Sequence, residues 1–237
     1  MEYKNFHIIT PCYNHQSFLN KCIQSIEDQD YPKEFIKMTV IDDFSDIPLK
    51  TMETSFNLKK IRNNKRLLPA LNRYKVYKNC LDYEIIIFLD GDDWLNNNNC
   101  LSYLNKIYCQ NNIDWAISNH KIFKENKTKI LPKFVELPLE TEKPKICHLR
   151  TGYGYVWNKM NSDWIKFEKD ESNTIYIKWM SDWNENLYAM KFYGQPFKIN
   201  CSLSTYNLDT TKTKNENTNF NEMIMFFKKK FDSLVTY

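Results

Sequence analysis

Three acidic residues follow directly on a short apolar segment of the chain. Residues 85–89 are all apolar, and Asp90, Asp92 and Asp93 come next, interrupted only by Gly91. Carboxylates this close together repel one another unless a cation or strong hydrogen-bond donors neutralise them. A divalent metal site is one interpretation, because Mg²⁺ takes one or two protein carboxylates and completes its shell with water and phosphate oxygens. A helix cap in a solvated turn is the other, since acidic side chains are also favoured at helix N-termini.

The elements that must position these carboxylates alternate between strands and helices. Apolar runs predict strands over residues 6–10, 38–41, 60–62 and 85–89. Helical spacing of apolar residues predicts one helix that runs from a cap at Asn14 to Ile26. A second helix is predicted over residues 68–81, with Pro69 in its first turn. This alternation is typical of an α/β fold, in which a mostly parallel sheet is flanked by helices.

Polar groups follow three of the predicted strands. In open sheets of this kind, ligands bind beyond the carboxyl ends of the strands. One sheet edge is therefore expected to gather the following residues in a single crevice: Pro11, Cys12, Tyr13, Asn14, Asp42, Asp43, Asp90, Gly91, Asp92 and Asp93.

The second half of the chain carries a weaker pattern. It predicts a helix over residues 101–109, a strand over residues 114–118 and polar, proline-punctuated connections over residues 121–144. An apolar stripe over residues 220–231 predicts a C-terminal helix docked on the domain. A helix on a membrane surface is the alternative, because residues 228–230 are all lysine.

Composition fits one globular domain of 237 residues, 42% of them hydrophobic and 15% aromatic. The net charge of +4 is mild, so a nucleic-acid partner is not expected. The seven cysteines are scattered and never spaced as C-x-x-C, which favours reduced thiols over disulfides or a zinc site. No window reaches the ~18 apolar residues of a membrane span. We therefore expect a soluble, cytoplasmic protein, with peripheral attachment to a membrane as the alternative.

Four segments, in this order, resemble the successive motifs of the GT-A fold family 2 glycosyltransferases: FHIITPCYNHQSFLNKCIQSI, MTVIDDFSD, NNKRLLPALN and IIIFLDGDDWL. VWNKM and MSDWNENLYAM extend the resemblance further along the chain. It implies a GT-A fold with a Rossmann-like nucleotide-binding sheet, in one domain over residues 1–237. Within it, residues 1–100 would bind a nucleotide sugar and residues 101–205 an acceptor, and residues 206–237 would form a C-terminal tail and helix.

The resemblance also implies roles for residues at the strand ends. Pro11 and Tyr13 would lie at the nucleotide base, beside the backbone of the loop that includes Asn14. Asp43 would accept a hydrogen bond from a ring N–H of a uracil-type base, with Asp42 in support.

The same resemblance assigns the diphosphate and the metal. Arg66 would reach toward the diphosphate with its guanidinium fork. Asp90-Gly91-Asp92 would be the DxD motif, with Asp92 on a Mn²⁺ or Mg²⁺ ion and Asp90 toward the ribose or, through water, the metal. Asp93 would be an additional acid outside the metal's own ligands.

Asp182 occupies the family position of the base that takes a proton from the acceptor hydroxyl. Ser181 precedes it where the family usually has Glu, and a helix N-cap is the alternative role of Asp182. One base opposite the leaving group implies in-line displacement with inversion. The expected activity is metal-dependent, hexosyltransferase-type transfer of a single sugar from a UDP-sugar to a hydroxyl of a glycan, protein or other molecule.

Several features limit or extend this interpretation. No histidine follows His148, so the late histidine ligand of some relatives is not expected, and the processive Q-x-x-R-W motif is missing. Gly152 and Gly154 suggest a flexible loop. Four aromatic residues are either core or faces for a sugar ring: Tyr153, Tyr155, Trp157 and Trp183.

Two other classes of protein stay open. A nucleotidyltransferase also combines a nucleotide-binding sheet with metal carboxylates, but its usual phosphate loop is rich in glycine and TPCYNHQ contains none. A non-catalytic binder of sugar nucleotides or glycans is the second alternative, although such a protein has no use for a base such as Asp182.

Overall fold

The computed structural model describes residues 2–124, 127–130, 149–161, 166–170, 173–176 and 181–207. The strands are β1 (Phe6–Cys12), β2 (Ile36–Asp42), β3 (Asn57–Arg62), β4 (Ile85–Phe88), β5 (Trp94–Leu95), β6 (Trp115–Lys124), β7 (Lys127–Ile130), β8 (Leu149–Tyr153), β9 (Lys166–Asp170), β10 (Asn173–Tyr176) and β11 (Phe197–Asn207). The helices are α1 (Gln16–Glu27), α2 (Leu68–Tyr77), α3 (Cys100–Gln110), α4 (Gly154–Trp157) and α5 (Ser181–Tyr193).

A mixed sheet forms the centre of the fold. Within the described residues it has nine strands, in the order β3-β2-β1-β4-β8-β6-β11-β5, with β7 paired to β6. Strands β3, β2, β1 and β4 run parallel, whereas β8 is antiparallel to both of its neighbours, β4 and β6. The predicted α/β sheet flanked by helices is therefore confirmed, with four neighbouring parallel strands in its amino-terminal half, and β11 also pairs parallel to β6. Strands β9 and β10 form a separate two-stranded sheet.

Strands β1, β2 and β4 are buried on both faces, whereas β3, at the edge of the sheet, is largely exposed. Along β4, Ile85 and Ile87 belong to one hydrophobic cluster, which includes apolar residues of α1 and α3. Ile86 and Phe88 belong to a second cluster, which includes apolar residues of α2, α4 and α5. Successive side chains of a strand point to opposite faces, so a continuous apolar run is what a strand between two helical layers requires.

Three sequence-based expectations need correction or fall outside the described chain. Asn14 does not cap α1, because the N-cap residue is His15 and no side chain hydrogen-bonds there. Residues 121–144, which were expected to be polar connections, contain the end of β6 and all of β7. A strand with one face in solvent can carry alternating polar residues, so this pattern also fits a strand. The predicted C-terminal helix lies outside the described residues.

No helix within the described parts of the chain combines the length and the apolar character that crossing a bilayer requires.

Candidate active site

The carboxyl ends of β1, β2 and β4 meet in one crevice, as their parallel pairing requires. Cys12 is paired with Asp42 across the two strands, and the backbone N–H of Asp43 donates to the Cys12 carbonyl at 2.9 Å. The backbone N–H of Gly91 donates to the Pro11 carbonyl, also at 2.9 Å. The three polar groups that the sequence placed after separate strands are thus brought together.

Asp42 is fully buried beneath the crevice and organises the loop that follows β2. Its Oδ1 accepts from the backbone N–H of Ser45 at 2.9 Å, and its Oδ2 accepts from that of Leu49 at 3.0 Å and from Arg62 Nη1 at 2.5 Å. Burial alone would raise the pKa of Asp42, but these hydrogen bonds outweigh it and hold the pKa below its ordinary value. Asp42 is therefore a permanent anion that supports the crevice from below.

Asp43 holds the next loop in the same way. Its Oδ1 accepts from Asn63 Nδ2 at 3.0 Å and from the backbone N–H of Leu67 at 2.7 Å, and its Oδ2 accepts from that of Leu68 at 2.9 Å. Leu68 has a φ of 67°, a left-handed conformation that costs a branched residue free energy. The carboxylate of Asp43 thus stabilises a strained start of α2 at the edge of the crevice.

Tyr13 and Arg66 lie against each other at the mouth of the crevice. The guanidinium carbon of Arg66 is 3.8 Å from the centre of the Tyr13 ring, and its Nε is 4.0 Å from Asp43 Oδ2. Asn14, with a φ of 59°, is exposed beside them, and its amide exchanges hydrogen bonds with Asp46. The planar ring expected to face a nucleotide base is thus covered by a cation.

Gly91 is required by the close approach of two loops. A Cβ at this position would lie 2.5 Å from Cys12 Cβ and 2.7 Å from Cys12 Sγ, both far inside van der Waals contact. Any side chain here must therefore push the acidic loop away from the end of β1.

We expect Gly91→Ala to destabilise the protein by about 1–3 kcal/mol, because overpacking forces the backbone to shift. It should also weaken the binding of UDP with Mn²⁺ that the family resemblance implies, since the shift displaces Asp90 and Asp92. Urea denaturation and calorimetry measure the two effects. Gly194→Ala is the control: a Cβ there meets nothing within 4 Å, so it strains only a backbone with a φ of 75°. An unchanged affinity in Gly91→Ala would contradict this prediction.

The three clustered carboxylates differ in their surroundings. The side chain of Asp90 is about one-third exposed, and burial together with Asp182 and Asp92, opposed by Arg73, raises its pKa to about 7. Asp93 is buried, its Oδ1 accepts from the backbone N–H of Asn207 at 2.9 Å, and burial raises its pKa well above the ordinary value. Asp92 is partly exposed. Asp93 therefore anchors the end of β11, and Asp90 and Asp92 are the acids that face the crevice.

Asp182 lies in the first turn of α5 and is held by two buried arginines. Its Oδ1 accepts from Arg73 Nη2 at 2.7 Å and from Arg150 Nη2 at 2.8 Å. Arg73 Nη1 also lies 3.4 Å from Asp90 Oδ1. One guanidinium therefore connects the candidate base with the candidate metal site, which places both in the same crevice.

Glu185 completes this network, and neither it nor the arginines were singled out from the sequence. Its carboxylate is fully buried and lies 3.0 Å from Arg73 Nη2 and 2.6 Å from Arg150 Nη1. Two guanidiniums and two carboxylates, those of Asp182 and Glu185, thus balance in charge below Asp90. The sequence signal that could have found Glu185 is its spacing of three residues from Asp182, which puts both on one face of a helix.

Two of the aromatic residues considered as faces for a sugar ring, Tyr153 and Trp157, lie away from the crevice. Tyr153 is paired with Ile85, at the end of β4 away from Asp90, and Trp157 is buried in the core. Gly152 lies within β8, and a Cβ on Gly154 would lie 2.0 Å from the Leu81 carbonyl oxygen. The flexible-loop interpretation is wrong: these glycines serve close packing. The side chain of Trp183 lies outside the described residues.

Comparison with known proteins gives the same assignment by sequence and by fold. The model of the family described as Glycosyl transferase family 2 matches residues 7–232. A poly(ribitol-phosphate) beta-N-acetylglucosaminyltransferase, TarS from Staphylococcus aureus, is 29% identical over an alignment 101 residues long that covers 38% of this chain. The match spans only 17% of that enzyme's length.

Two solved structures illustrate the likeness in fold. The crystal structure of S. aureus TarS 1–349 in complex with UDP-GlcNAc has a TM-score of 0.61 at 17% identity, over 90% of this chain and 60% of that one. The mannosyltransferase PcManGT from Pyrobaculum calidifontis, in complex with GDP-Man and Mn²⁺, has a TM-score of 0.57 at 10% identity, over 87% and 57%. The fold is the GT-A fold, and the chain belongs to glycosyl transferase family 2.

Proposed function

We propose that this glycosyltransferase is metal-dependent and inverting, and that it moves a single sugar from a UDP-sugar to a hydroxyl group of an acceptor. The observation that carries the proposal is the position of Arg73, whose Nη1 lies 3.4 Å from Asp90 Oδ1 and whose Nη2 lies 2.7 Å from Asp182 Oδ1. A cluster of acids for the leaving group and a separate carboxylate for the acceptor therefore share one crevice.

The nucleotide would bind across the ends of β1 and β2. Tyr13 offers a flat face on which a base can stack. Pro11 and Asn14 belong to the same stretch of chain, and Asp43 lies beside Arg66. Release of Arg66 from the Tyr13 ring would bring its guanidinium to the diphosphate, for which its fork of donors is suited. TarS and PcManGT, whose structures hold UDP-GlcNAc and GDP-Man, support a nucleotide-sugar donor.

The residues present fit a hard divalent cation. Asp90 and Asp92 offer carboxylate oxygens, and burial, with the neighbouring Asp182 and Asp92 carboxylates adding to it, raises the pKa of Asp90 to about 7. Asp92 would hold Mn²⁺ or Mg²⁺, with Asp90 beside it. When bound, such an ion supplies positive charge that stabilises the departing nucleoside diphosphate.

Asp182 would take the proton of the acceptor hydroxyl. The hydrogen bonds to Oδ1 from Arg73 and Arg150 fix the orientation of the carboxylate and favour its ionised form. The hydroxyl oxygen would then attack the anomeric carbon from the side opposite the diphosphate, with inversion. A carboxylate oriented in advance loses little entropy when the acceptor arrives.

A thermal-shift panel of nucleotide sugars, with and without Mn²⁺, tests the proposed function. A UDP-sugar with Mn²⁺ should raise the unfolding midpoint, because a ligand that binds only the folded state stabilises it by mass action. Asp92→Ala should remove the Mn²⁺-dependent part of the shift, whereas Asp28→Ala, at the exposed end of α1, should not. The proposal is wrong if no nucleotide sugar changes the midpoint of the wild-type protein.

Binding of Mn²⁺ should depend on pH near neutrality. The pKa of Asp90 is raised to about 7 in the metal-free protein, so a proton must leave before a cation binds. We expect the apparent affinity to fall by up to about tenfold per pH unit below pH 7 and to level off above it. Calorimetry between pH 5.5 and pH 8.5, at about half-unit steps, measures this slope.

The same shift predicts a stability effect of opposite direction. Because the folded state keeps the proton of Asp90 above its ordinary pKa, the metal-free protein should lose stability as pH rises from 3.8 toward about 7. Asp90→Asn should remove this loss and raise the unfolding midpoint more at pH 8 than at pH 5. An equal change at both pH values would show that Asp90 does not titrate in this range.

A further inference from the structure

A second cluster of side chains that could bind a metal lies at the amino ends of the parallel strands, whereas the crevice lies at their carboxyl ends. It consists of His7, Cys80 and Glu84, all buried, and the ligand atoms lie within 4.8 Å of one another. His7 Nδ1 is 3.2 Å from Cys80 Sγ and 3.8 Å from Glu84 Oε2. An imidazole nitrogen, a thiol and a carboxylate are the ligand types that Zn²⁺ takes in proteins.

The cluster joins three segments of the fold. His7 lies near the start of β1, Cys80 follows the end of α2, and Glu84 immediately precedes β4. These segments meet at the amino ends of β1 and β4, whereas Asp90 follows the carboxyl end of β4. The two groups of candidate ligands are therefore separated by the length of the strand. Because His7 lies 73 residues before Cys80 and the cluster contains a single cysteine, no C-x-x-C spacing in the sequence indicates the site.

The surroundings of His7 orient its ring and keep it neutral, as metal binding requires. His7 Nε2 lies 2.8 Å from Thr39 Oγ1, so with the proton on Nε2 the lone pair of Nδ1 is directed at Cys80 and Glu84. A second hydrogen bond of this kind is what fixes the ring of a metal-binding histidine. Burial lowers the pKa of His7, which keeps the imidazole neutral at pH 7.

The charges of the cluster also favour a cation. Burial raises the pKa of the Cys80 thiol to about 12, so the thiol stays protonated unless a metal displaces its proton. Glu84 is an anion: burial opposes ionisation, but nearby His7, the backbone N–H of Leu81, which donates to Oε2 at 3.0 Å, and Lys37 together lower its pKa to about 2. Lys37, the cation beside Glu84 at 3.4 Å, is 40% exposed and can turn to solvent.

We propose that His7 Nδ1, Cys80 Sγ and Glu84 Oε2 bind a Zn²⁺-type divalent transition metal. The thiol proton leaves to solvent on binding, so that thiolate and carboxylate together balance the charge of the ion. The ion would tie the end of α2 and the start of β4 to β1. It is distinct from the acidic site at Asp90 and Asp92, whose oxygen ligands suit Mg²⁺ or Mn²⁺.

Titration of the reduced, chelator-treated chain with Co²⁺ tests the proposal. A thiolate ligand gives Co²⁺ an intense near-ultraviolet charge-transfer absorption, which carboxylate ligands alone do not give. The band should saturate with a single Co²⁺ equivalent and disappear when Zn²⁺ is added. It should be lost in Cys80→Ser and kept in Cys109→Ser, which removes an exposed thiol.

Thermal stability and crystallography supply independent measurements. Zn²⁺ at about 100 times its Kd should raise the unfolding midpoint of the wild-type protein by about 5–10 °C and leave that of Cys80→Ser nearly unchanged. Should Cys80→Ser fail to fold, crystals of the wild-type protein soaked in Zn²⁺ should show an anomalous peak within bonding distance of Cys80 Sγ. The proposal is overturned by an absent Co²⁺ band, by a band that survives Cys80→Ser, or by anomalous peaks only elsewhere.

Discussion

Asp182→Asn is expected to reduce sugar transfer by about 10²- to 10⁴-fold, which is the usual contribution of a general base. Asparagine keeps the shape of the side chain, and its oxygen can still accept from Arg73 and Arg150, but it cannot take a proton from a hydroxyl group. Affinity for UDP with Mn²⁺ should stay within about a factor of three, because the variant loses an interaction made only in the transition state. Radiolabel transfer from the best donor of the thermal-shift panel, together with calorimetry, measures both quantities.

Asp28→Asn is the matched control, since it makes the same chemical change at an exposed carboxylate at the end of α1. It should leave transfer and affinity unaltered. Activity of Asp182→Asn near that of the wild type would remove this residue from the mechanism. A parallel loss of transfer and of UDP affinity would instead assign Asp182 a structural role at the start of α5.

Glu185→Gln is expected to destabilise the protein by about 3–5 kcal/mol, the range seen when one partner of a buried ion pair is removed. Glu185 is fully buried and lies within 3.0 Å of both Arg73 and Arg150. Without its charge, the two buried guanidiniums would keep only the carboxylate of Asp182, and that of Asp90 at 3.4 Å from Arg73. Urea denaturation measures the loss. Glu34→Gln, at an exposed turn before β2, should change stability by less than about 0.5 kcal/mol.

The double variant Arg150→Met with Glu185→Gln separates charge balance from packing. It removes one cation together with one anion, so it should lose less stability than the two single variants combined. If the losses simply add, the two residues contribute independently and the network is not held together by charge. A loss below about 1 kcal/mol for Glu185→Gln would indicate that water reaches the arginines.

The parallel half of the fold could be predicted because its signals are local. An apolar run such as residues 85–89 and the helical spacing in α1 each depend on a few neighbouring residues. Parallel pairing then brings strand ends together, so that Pro11, Asp42 and Asp90 could be placed in one crevice before any coordinates existed. The prediction failed locally at Asn14, where a bond to Asp46 in another loop replaces the expected cap.

The positions of Arg73 and Arg150 in the site could not be predicted from the neighbouring sequence. Arg73 lies within the sequence of a helix, where a charged residue is expected to face solvent, and its burial depends on Glu185, 112 residues away. Arg150 reaches the crevice because β8 runs antiparallel to β4, so that Arg150 pairs with Phe88 while Tyr153 pairs with Ile85. The direction of a strand is a property of the whole sheet, and residue types do not reveal it.

The stacking of Arg66 on Tyr13 has a consequence for any molecule that enters this end of the crevice. The Tyr13 ring is already covered by Arg66, so the binding free energy of a stacking ligand is reduced by the cost of displacing the guanidinium. This exchange favours planar ligands that carry an anionic group, because the displaced Arg66 guanidinium can then pair with that group instead of being solvated by water. A neutral aromatic molecule of the same size offers Arg66 no ion pair, so it should bind more weakly even though nothing blocks its entry.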